Sequence, residues 1–226
     1  MPVFHATGRP SRRRGGKSVA PGGGASFFKA VGKILGSLSF IADDLGDTSP
    51  EVVALLNQFK IPGTRVLQFE FGSDLQGNSS RRASHPLETV VYTGTHDNDT
   101  TAGWYESLSI LQQEALRKKL KVHDYEIVWA MIRAALAAPA NTAIVPAQDL
   151  LGLGTEARMN FPGIAKGNWG WRLKEGALNQ KVAQRLRSIT LKFGRLTTGN
   201  RVPTSRLEED QLTPQIGKRA YASNYP

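Results

Sequence analysis

The stretch VVYTGTHDNDT, residues Val90–Thr100, decides how the chain around it is interpreted. It begins as a short run of β-branched and aromatic residues, breaks at Gly94, and then places one His, two Asp and one Asn within four positions. A strand that ends in such a polar cluster is typical of α/β enzymes, whose sites form at the carboxyl ends of parallel strands. The alternative is that Asp97 and Asp99 only cap the helix predicted to follow. The stretch alone names no reaction.

Helical and strand-like segments alternate on both sides of this stretch. Short buried strands are predicted over residues 38–42, 65–71, 89–92 and 142–145. Helices are predicted over about 27–35, from Pro50 onwards, around 104–111, over about 124–138 and over about 179–193. Such alternation indicates an α/β fold with a parallel sheet. Acids follow three of the strands, at Asp43, Asp97 and Asp149, which fits one face of a (β/α)₈ barrel, although four strands cannot close one.

The formal charge of +10 is concentrated at the two ends of the chain. Residues 1–42 carry +7 and contain no acid, residues 181–226 carry +6, and residues 43–180 carry −3. This distribution argues against a basic groove in the folded centre, so no specific nucleic acid is expected as a partner.

Three segments follow from this composition. We predict a basic flexible segment over residues 1–20, a folded part over 21–200, and a flexible tail over 201–226. The Arg-rich start favours a solvated tail, with non-specific contact to RNA or anionic lipid as the alternative. The chain has no Cys, which excludes disulfides and thiolate metal sites. No apolar run approaches the roughly 18 residues of a membrane span, so no membrane partner is expected.

Two carboxylates at the ends of different strands are the minimum equipment for cleaving a glycosidic bond. One carboxylic acid gives its proton to the leaving oxygen, and another carboxylate attacks the sugar or stabilises its positive charge. Asp43 and Asp97 stand at such strand ends. Trp169 and Trp171 lie in an irregular segment beside Asn168, where their rings suit stacking on sugars; packing in a core or within the loop is the alternative.

Residues from about Pro21 to Leu196 resemble the C-terminal part of the 4-α-glucanotransferases, also called amylomaltases or disproportionating enzymes. The resemblance runs in colinear order through the segments 27–28, 35–36, 41–46, 66–69, 90–100, 143–154, 157–163 and 167–172. It is closest to the plastid-type branch of that family.

The resemblance implies a retaining transferase on a (β/α)₈ barrel, of which this chain carries an incomplete C-terminal portion. Such an enzyme cuts an α-1,4 bond, holds a covalent glucosyl-enzyme and passes the glucan to the 4-hydroxyl of another sugar. Asp97 matches the Asp that stabilises the transition state, His96 matches its sugar-binding neighbour, and Asn160 lies in a loop similar to a substrate contact. The implied partners are maltooligosaccharides and starch-derived glucans, with no metal and no organic cofactor. A plastid is the implied location, with the cytoplasm as the alternative.

Two departures from the family pattern concern the catalytic acids. The general acid/base of the family is a Glu in an Ala-Glu-Asp-Leu-Gly motif, whereas this chain has Asp43 at that position. One methylene fewer withdraws the carboxyl by roughly 1 Å, a displacement that can cost on the order of a hundredfold in rate. The nucleophilic Asp of the family belongs to an earlier strand, and residues 1–42 contain no acid that could supply it.

We therefore predict an enzyme by family that has little or no transferase activity by itself. The alternative is a non-catalytic glucan-binding or interaction protein. An open half-barrel is also expected to expose sheet edges and apolar surface, which favours aggregation or a partner that supplies the missing half.

Overall fold

The fold was obtained as a computed structural model, which describes residues 23–36, 40–45, 48–75 and 89–196. The predicted flexible segments at 1–20 and 201–226 lie outside the described residues. The described elements, in chain order, are α1 (Gly24–Leu35), α2 (Pro50–Gln58), β1 (Thr64–Val66), α3 (Leu67–Leu75), β2 (Val90–Tyr92), α4 (Thr101–Ser107), α5 (Ile110–Leu120), α6 (Ile127–Ala137), β3 (Thr142–Ile144), α7 (Ala147–Leu151) and α8 (Gln180–Lys192). Short 3-10 turns at Asp124–Glu126 and Thr155–Ala157 precede α6 and follow α7.

The predicted parallel sheet is confirmed in the described part of the chain. Its three strands lie in the order β1-β2-β3, and both neighbouring pairs are parallel. In the register, Val66 stands beside Tyr92, and Tyr92 stands beside Ile144. All three strands therefore end at the same edge of the sheet, and there the chain leaves β2 into the polar stretch that contains His96 and Asp97.

The helices cover one face of the sheet because their apolar residues recur at helical spacing. The most buried helix is α6, in which Met131, Ile132 and Ala135 have no exposed surface. Met131 and Ala135 pack with Val91 of β2 and Leu67 of α3. Helices α4, α5 and α8 pack further apolar side chains against α6. This core holds the end of β2 rigidly, which in turn fixes where the following loop begins.

The predicted strand over 65–71 is wrong beyond Val66, where helix α3 begins. Leu67, Phe71 and Leu75 recur every four residues, and all three pack on the apolar core, as a helix face does. The Gln68 amide N–H donates to the Thr93 carbonyl at 3.3 Å, which continues the sheet contact for one residue beyond the strand. Packing on α5 and α6 thus overrides the alternating pattern that suggested a longer strand.

The predicted strand over 38–42 is not formed in its described residues, Phe40 to Ala42. Ala42 still lies beside β1, because its N–H donates to the Pro62 carbonyl at 2.9 Å. The next ladder bond is missing because the Thr64 N–H donates instead to the Asp44 carboxylate at 2.6 Å. A side chain thereby replaces the main-chain partner and ends the pairing.

Candidate active site

The loop after β2 is built on Gln68, which reaches beneath it from α3. The Gln68 side chain is almost fully buried, and its Nε2 donates to the Asp99 carbonyl at 2.9 Å. A Cβ atom on Gly94 would lie 2.6 Å from that same Nε2. Gly94 is therefore required by the close approach of Gln68, and this approach sets the path of the loop from its first residue.

Asn98 folds the tip of the loop into a tight turn. Its Oδ1 accepts hydrogen bonds from the Thr95 N–H at 2.9 Å and from the Thr95 hydroxyl at 2.7 Å. This turn places His96 and Asp97 at the tip, where their side chains are 47% and 48% exposed. Both groups are consequently open to a ligand from solvent.

The capping function that the sequence allowed for the two acids falls on other residues. Thr100 is the N-cap of α4, because its hydroxyl accepts the Gly103 N–H at 3.1 Å. Asp99 ties the loop to the 3-10 turn after α7, since its Oδ2 accepts from the Thr155 hydroxyl at 2.8 Å. Asp97 makes no such structural bond to α4 and remains available for chemistry.

Asp97, His96 and Asn160 meet at one point although Asn160 lies 63 positions further along the chain. The Asn160 Nδ2 donates to Oδ1 of Asp97 at 2.6 Å. The His96 Nε2 lies 3.3 Å from the same oxygen. Three of the four predicted site residues therefore form a single exposed polar cluster, called the Asp97 cluster below.

Arg158 holds the two halves of the Asp97 cluster together. Its guanidinium donates from NH2 to the Asp97 carbonyl at 2.8 Å and from Nε to the Asn160 carbonyl at 2.9 Å. The ring of Phe161 covers the guanidinium at 4.3 Å. Sequence reasoning missed this residue, because a single Arg in an irregular segment carries no pattern that announces two backbone partners.

Asp43, the fourth predicted site residue, is not hydrogen-bonded to the Asp97 cluster among the described residues. Its negative charge raises the pKa of Tyr92 at the end of β2, in addition to the larger effect of burial of that phenol. Asp43 therefore lies near the same edge of the sheet from which the Asp97 loop departs. The neighbouring Asp44 is structural, since it accepts the Thr64 N–H and its carboxylate fills the space beside Gly63.

Asp149, the acid after β3, is buried beneath the site and does not join it. Only 1% of the residue is exposed. Its carboxylate accepts from the Thr93 hydroxyl at 2.5 Å, from the Thr101 hydroxyl at 2.7 Å and from the Thr101 N–H at 2.8 Å. Burial raises the pKa of Asp149, and these hydrogen bonds partly oppose the rise. The residue joins the ends of β2, α4 and α7.

The two Trp residues of the irregular segment have different surroundings. Trp169 is 53% exposed, and its ring lies 5.1 Å from the His96 ring at an angle of 36°. Trp171 is half-buried. The segment between them and Asn160 is held by Asn168, whose amide bonds to the Phe161 backbone and to the Ile164 carbonyl. Core packing is therefore wrong for Trp169, whereas loop packing is not contradicted, because its ring lies beside that of His96.

The sequence profile described as 4-alpha-glucanotransferase matches residues 11–179. The chain belongs to the 4-alpha-glucanotransferase family. Among its relatives, the 4-alpha-glucanotransferase of Synechocystis is 46% identical over 178 residues, which are 77% of this chain and 35% of the relative. The chloroplastic/amyloplastic 4-alpha-glucanotransferase of Arabidopsis thaliana is 41% identical over 179 residues, 77% of this chain and 31% of the relative.

A solved structure also matches this 4-alpha-glucanotransferase family member. The amylomaltase from Streptococcus agalactiae in complex with acarbose superposes with a TM-score of 0.71 and 31% identity, over 79% of this chain and 36% of that chain. The chain thus spans about a third of the length of these three relatives. The family resemblance is confirmed, whereas the plastid branch stays a prediction because bacterial, cyanobacterial and plastid proteins all match.

The described part of the chain shows neither a metal-ligand cluster nor a membrane-spanning helix. No three acidic or His side chains there converge as ligands of a metal ion. No helix among the described residues has the length and apolar character needed to cross a bilayer.

Proposed function

We propose that the Asp97 cluster is the sugar-binding centre of a 4-α-glucanotransferase site for maltooligosaccharides and starch-derived glucans. The observation that carries this proposal is that the side chains of His96 and Asn160 converge on Oδ1 of Asp97, whose side chain is exposed. In this role Asp97 stabilises positive charge at the anomeric carbon of the sugar. His96 and Asn160 supply donors for sugar hydroxyls and hold the carboxylate in place.

Asp43 is the acid/base of this proposal. Its charge reaches Tyr92 at the end of β2, which supports a position at the same edge of the sheet as the Asp97 loop. With one methylene fewer than the Glu of the family, the Asp43 carboxyl falls short of the leaving oxygen by roughly 1 Å, which is expected to lower the rate on the order of a hundredfold.

The three parallel strands are proposed to be part of a (β/α)₈ barrel, as in the family. Residues 1–42 contain no acid, so no nucleophilic carboxylate precedes Asp43 within these 226 residues. Without a nucleophile there is no route to a covalent glucosyl-enzyme. The 226 residues alone are therefore proposed to bind glucan and to transfer little or none of it, and a partner for the remaining half-barrel would restore turnover.

The test combines turnover with binding. The purified 226-residue protein is incubated with maltotriose, and glucose and longer maltodextrins are separated by chromatography; we expect neither product above the buffer blank. Binding of maltohexaose is measured in parallel by isothermal titration calorimetry. Asn160→Ala is expected to weaken binding by roughly tenfold, because it removes the charge-assisted hydrogen bond from Asn160 to the Asp97 carboxylate.

Asn141→Ala is the matched control for Asn160→Ala. Asn141 is exposed and lies before β3, at the opposite end of the sheet from the Asp97 cluster. Its substitution is expected to leave the affinity unchanged. Rapid disproportionation of maltotriose would contradict the proposed inactivity, and equal loss of affinity in both variants would contradict the proposed binding centre.

A non-catalytic glucan-binding protein is the second candidate. The observation in its favour is that Asp43 is not hydrogen-bonded to the Asp97 cluster among the described residues, while the cluster itself is intact. The two candidates differ when the remaining half-barrel of a relative is added. Restored transfer favours the transferase, and unchanged binding without transfer favours the binding protein.

A further inference from the structure

We propose that Trp169 is a stacking platform that holds one glucosyl ring of an α-1,4-glucan against the Asp97 cluster. This inference rests on the proposed function and assigns a specific side chain to one sugar. The starting observation is that a large aromatic ring is held half in solvent beside His96, in a segment that has no regular secondary structure.

The backbone of Trp169 adopts a conformation that a bulky residue rarely takes. Its φ is +62°, in the left-handed region that favours glycine. Such a conformation persists only where the surroundings impose it, and it occurs preferentially at ligand-binding sites. A glycine would adopt this conformation at no steric cost, but in this chain the position is occupied by Trp169 and the glycine is the next residue, Gly170.

Contacts on both sides of Trp169 impose this conformation. Its N–H donates to the Met159 carbonyl at 2.8 Å, and its carbonyl accepts from the Arg172 guanidinium at 2.6 Å. The preceding residue, Asn168, bonds to Phe161 and Ile164 across the segment. These hydrogen bonds fix the backbone of Trp169, from which the indole extends to lie beside His96.

The indole and the imidazole together form an open aromatic corner. Their centroids are 5.1 Å apart and their planes are inclined by 36°, so the rings do not cover each other fully. His96 also lies 3.3 Å from the Asp97 carboxylate. A pyranose ring has apolar C–H faces and polar edges. One face would stack on the indole, while the hydroxyls at its edge reach the His96 and Asp97 polar atoms.

The experiment uses the full 226-residue chain and maltohexaose as the probe. Indole N–H resonances of the four Trp residues are followed by ¹H–¹⁵N NMR during titration, and the Trp169 signal is assigned with Trp169→Phe. We expect the Trp169 signal to shift with saturation, while the signal of Trp129, which is 8% exposed, stays unchanged. Trp169→Ala is expected to weaken the affinity by about tenfold, and Trp169→Phe to restore most of it.

Tyr125→Ala is the matched control. Tyr125 is 49% exposed and also stacks beside a His, with its ring 5.8 Å from that of His123. Its removal tests whether any exposed aromatic–His pair binds maltohexaose, and no change in affinity is expected. Equal weakening by Tyr125→Ala and Trp169→Ala would overturn the platform, as would binding by the wild type that Trp169→Ala leaves unchanged.

The outcomes also separate this inference from the proposed function. A wild-type chain that binds no maltohexaose contradicts both. A chain whose binding depends on Asn160 and is indifferent to Trp169 keeps the Asp97 cluster as a glucan site and refutes the platform. Thermal unfolding of each variant, compared with the wild type, confirms that the substituted proteins are folded.

Discussion

Asp149→Ala is expected to destabilise the protein more than any substitution in the exposed site above it. The side chain is 1% exposed and accepts three hydrogen bonds, from the Thr93 hydroxyl and from the hydroxyl and N–H of Thr101. Removing the carboxylate leaves three buried donors without an acceptor, at roughly 1–3 kcal/mol each. The expected loss is about 3–9 kcal/mol, a large part of the 5–15 kcal/mol that typically stabilises a domain.

Asp149→Asn separates the hydrogen bonds from the charge. The amide oxygen retains one acceptor, and the Thr hydroxyls can rotate to accept from the amide N–H₂. Loss of the buried charge also removes an unfavourable desolvation, so we expect a cost of only about 1–2 kcal/mol. Urea unfolding followed by circular dichroism gives both values. A loss below about 1.5 kcal/mol for Asp149→Ala, or equal losses for the two variants, would refute this account of the network.

The buried carboxyl of Asp149 also predicts how the free energy of unfolding depends on pH. Because burial raises the pKa of Asp149 in the folded state, the native protein holds this proton more tightly than the unfolded chain does. The stability that this group contributes is therefore present below the ordinary pKa of an aspartate, and it is lost as the pH rises through the folded-state value. Relative to Asp149→Asn, the wild type should lose stability across that window. Asp97→Asn, at a 48% exposed side chain, should change stability by less than about 1 kcal/mol.

Five further substitutions, of which Gly32→Ala and Lys118→Gly are controls, test packing beside the site and away from it by the same urea assay. Gly103→Ala would place a Cβ 2.9 Å from both the Thr155 N and Asp99 Oδ1, and we expect it to lower the free energy of unfolding by about 2–3 kcal/mol. Its control is Gly32→Ala in the exposed, unobstructed part of α1, which should raise the free energy of unfolding by about 0.5–1 kcal/mol. Arg195→Ala removes the donors to the carbonyls of residues 136, 138 and 140 at the end of α6. It should lower the free energy of unfolding by about 2 kcal/mol. An unchanged free energy of unfolding would mean that water replaces the guanidinium. Lys121→Gly, at φ 55°, should stabilise by about 0.5–1 kcal/mol, and Lys118→Gly inside α5 should destabilise by a similar amount.

The Asp97 cluster is assembled from side chains on two separate parts of the described chain. Its geometry depends on Gln68, Arg158 and Asp149, all of which belong to the described residues. The proposed function therefore predicts that binding of glucan and transfer of glucan are separable, and the paired assays above measure each one.

The sequence alone determined several of the local elements and the family. Helices α1, α2, α6 and α8 and strands β2 and β3 follow from periodicity, an N-cap and Pro at Ser49–Pro50, and breaks at Gly and Pro, all of which act within a few residues. The colinear motifs were sufficient to identify the 4-alpha-glucanotransferase family, which the sequence profile confirms.

Only the tertiary structure decided which strand-end acid faces solvent and which is structural. Asp97 and Asp149 both follow short parallel strands, of which β2 is buried and β3 is largely exposed, yet Asp97 is exposed at the loop tip and Asp149 is buried under three donors. The same holds for residues 67–71, which pack as a helix, and for the ring of Trp169 beside His96. The physical reason is that burial and partners arise between residues about 50–70 positions apart, and no local pattern encodes such contacts.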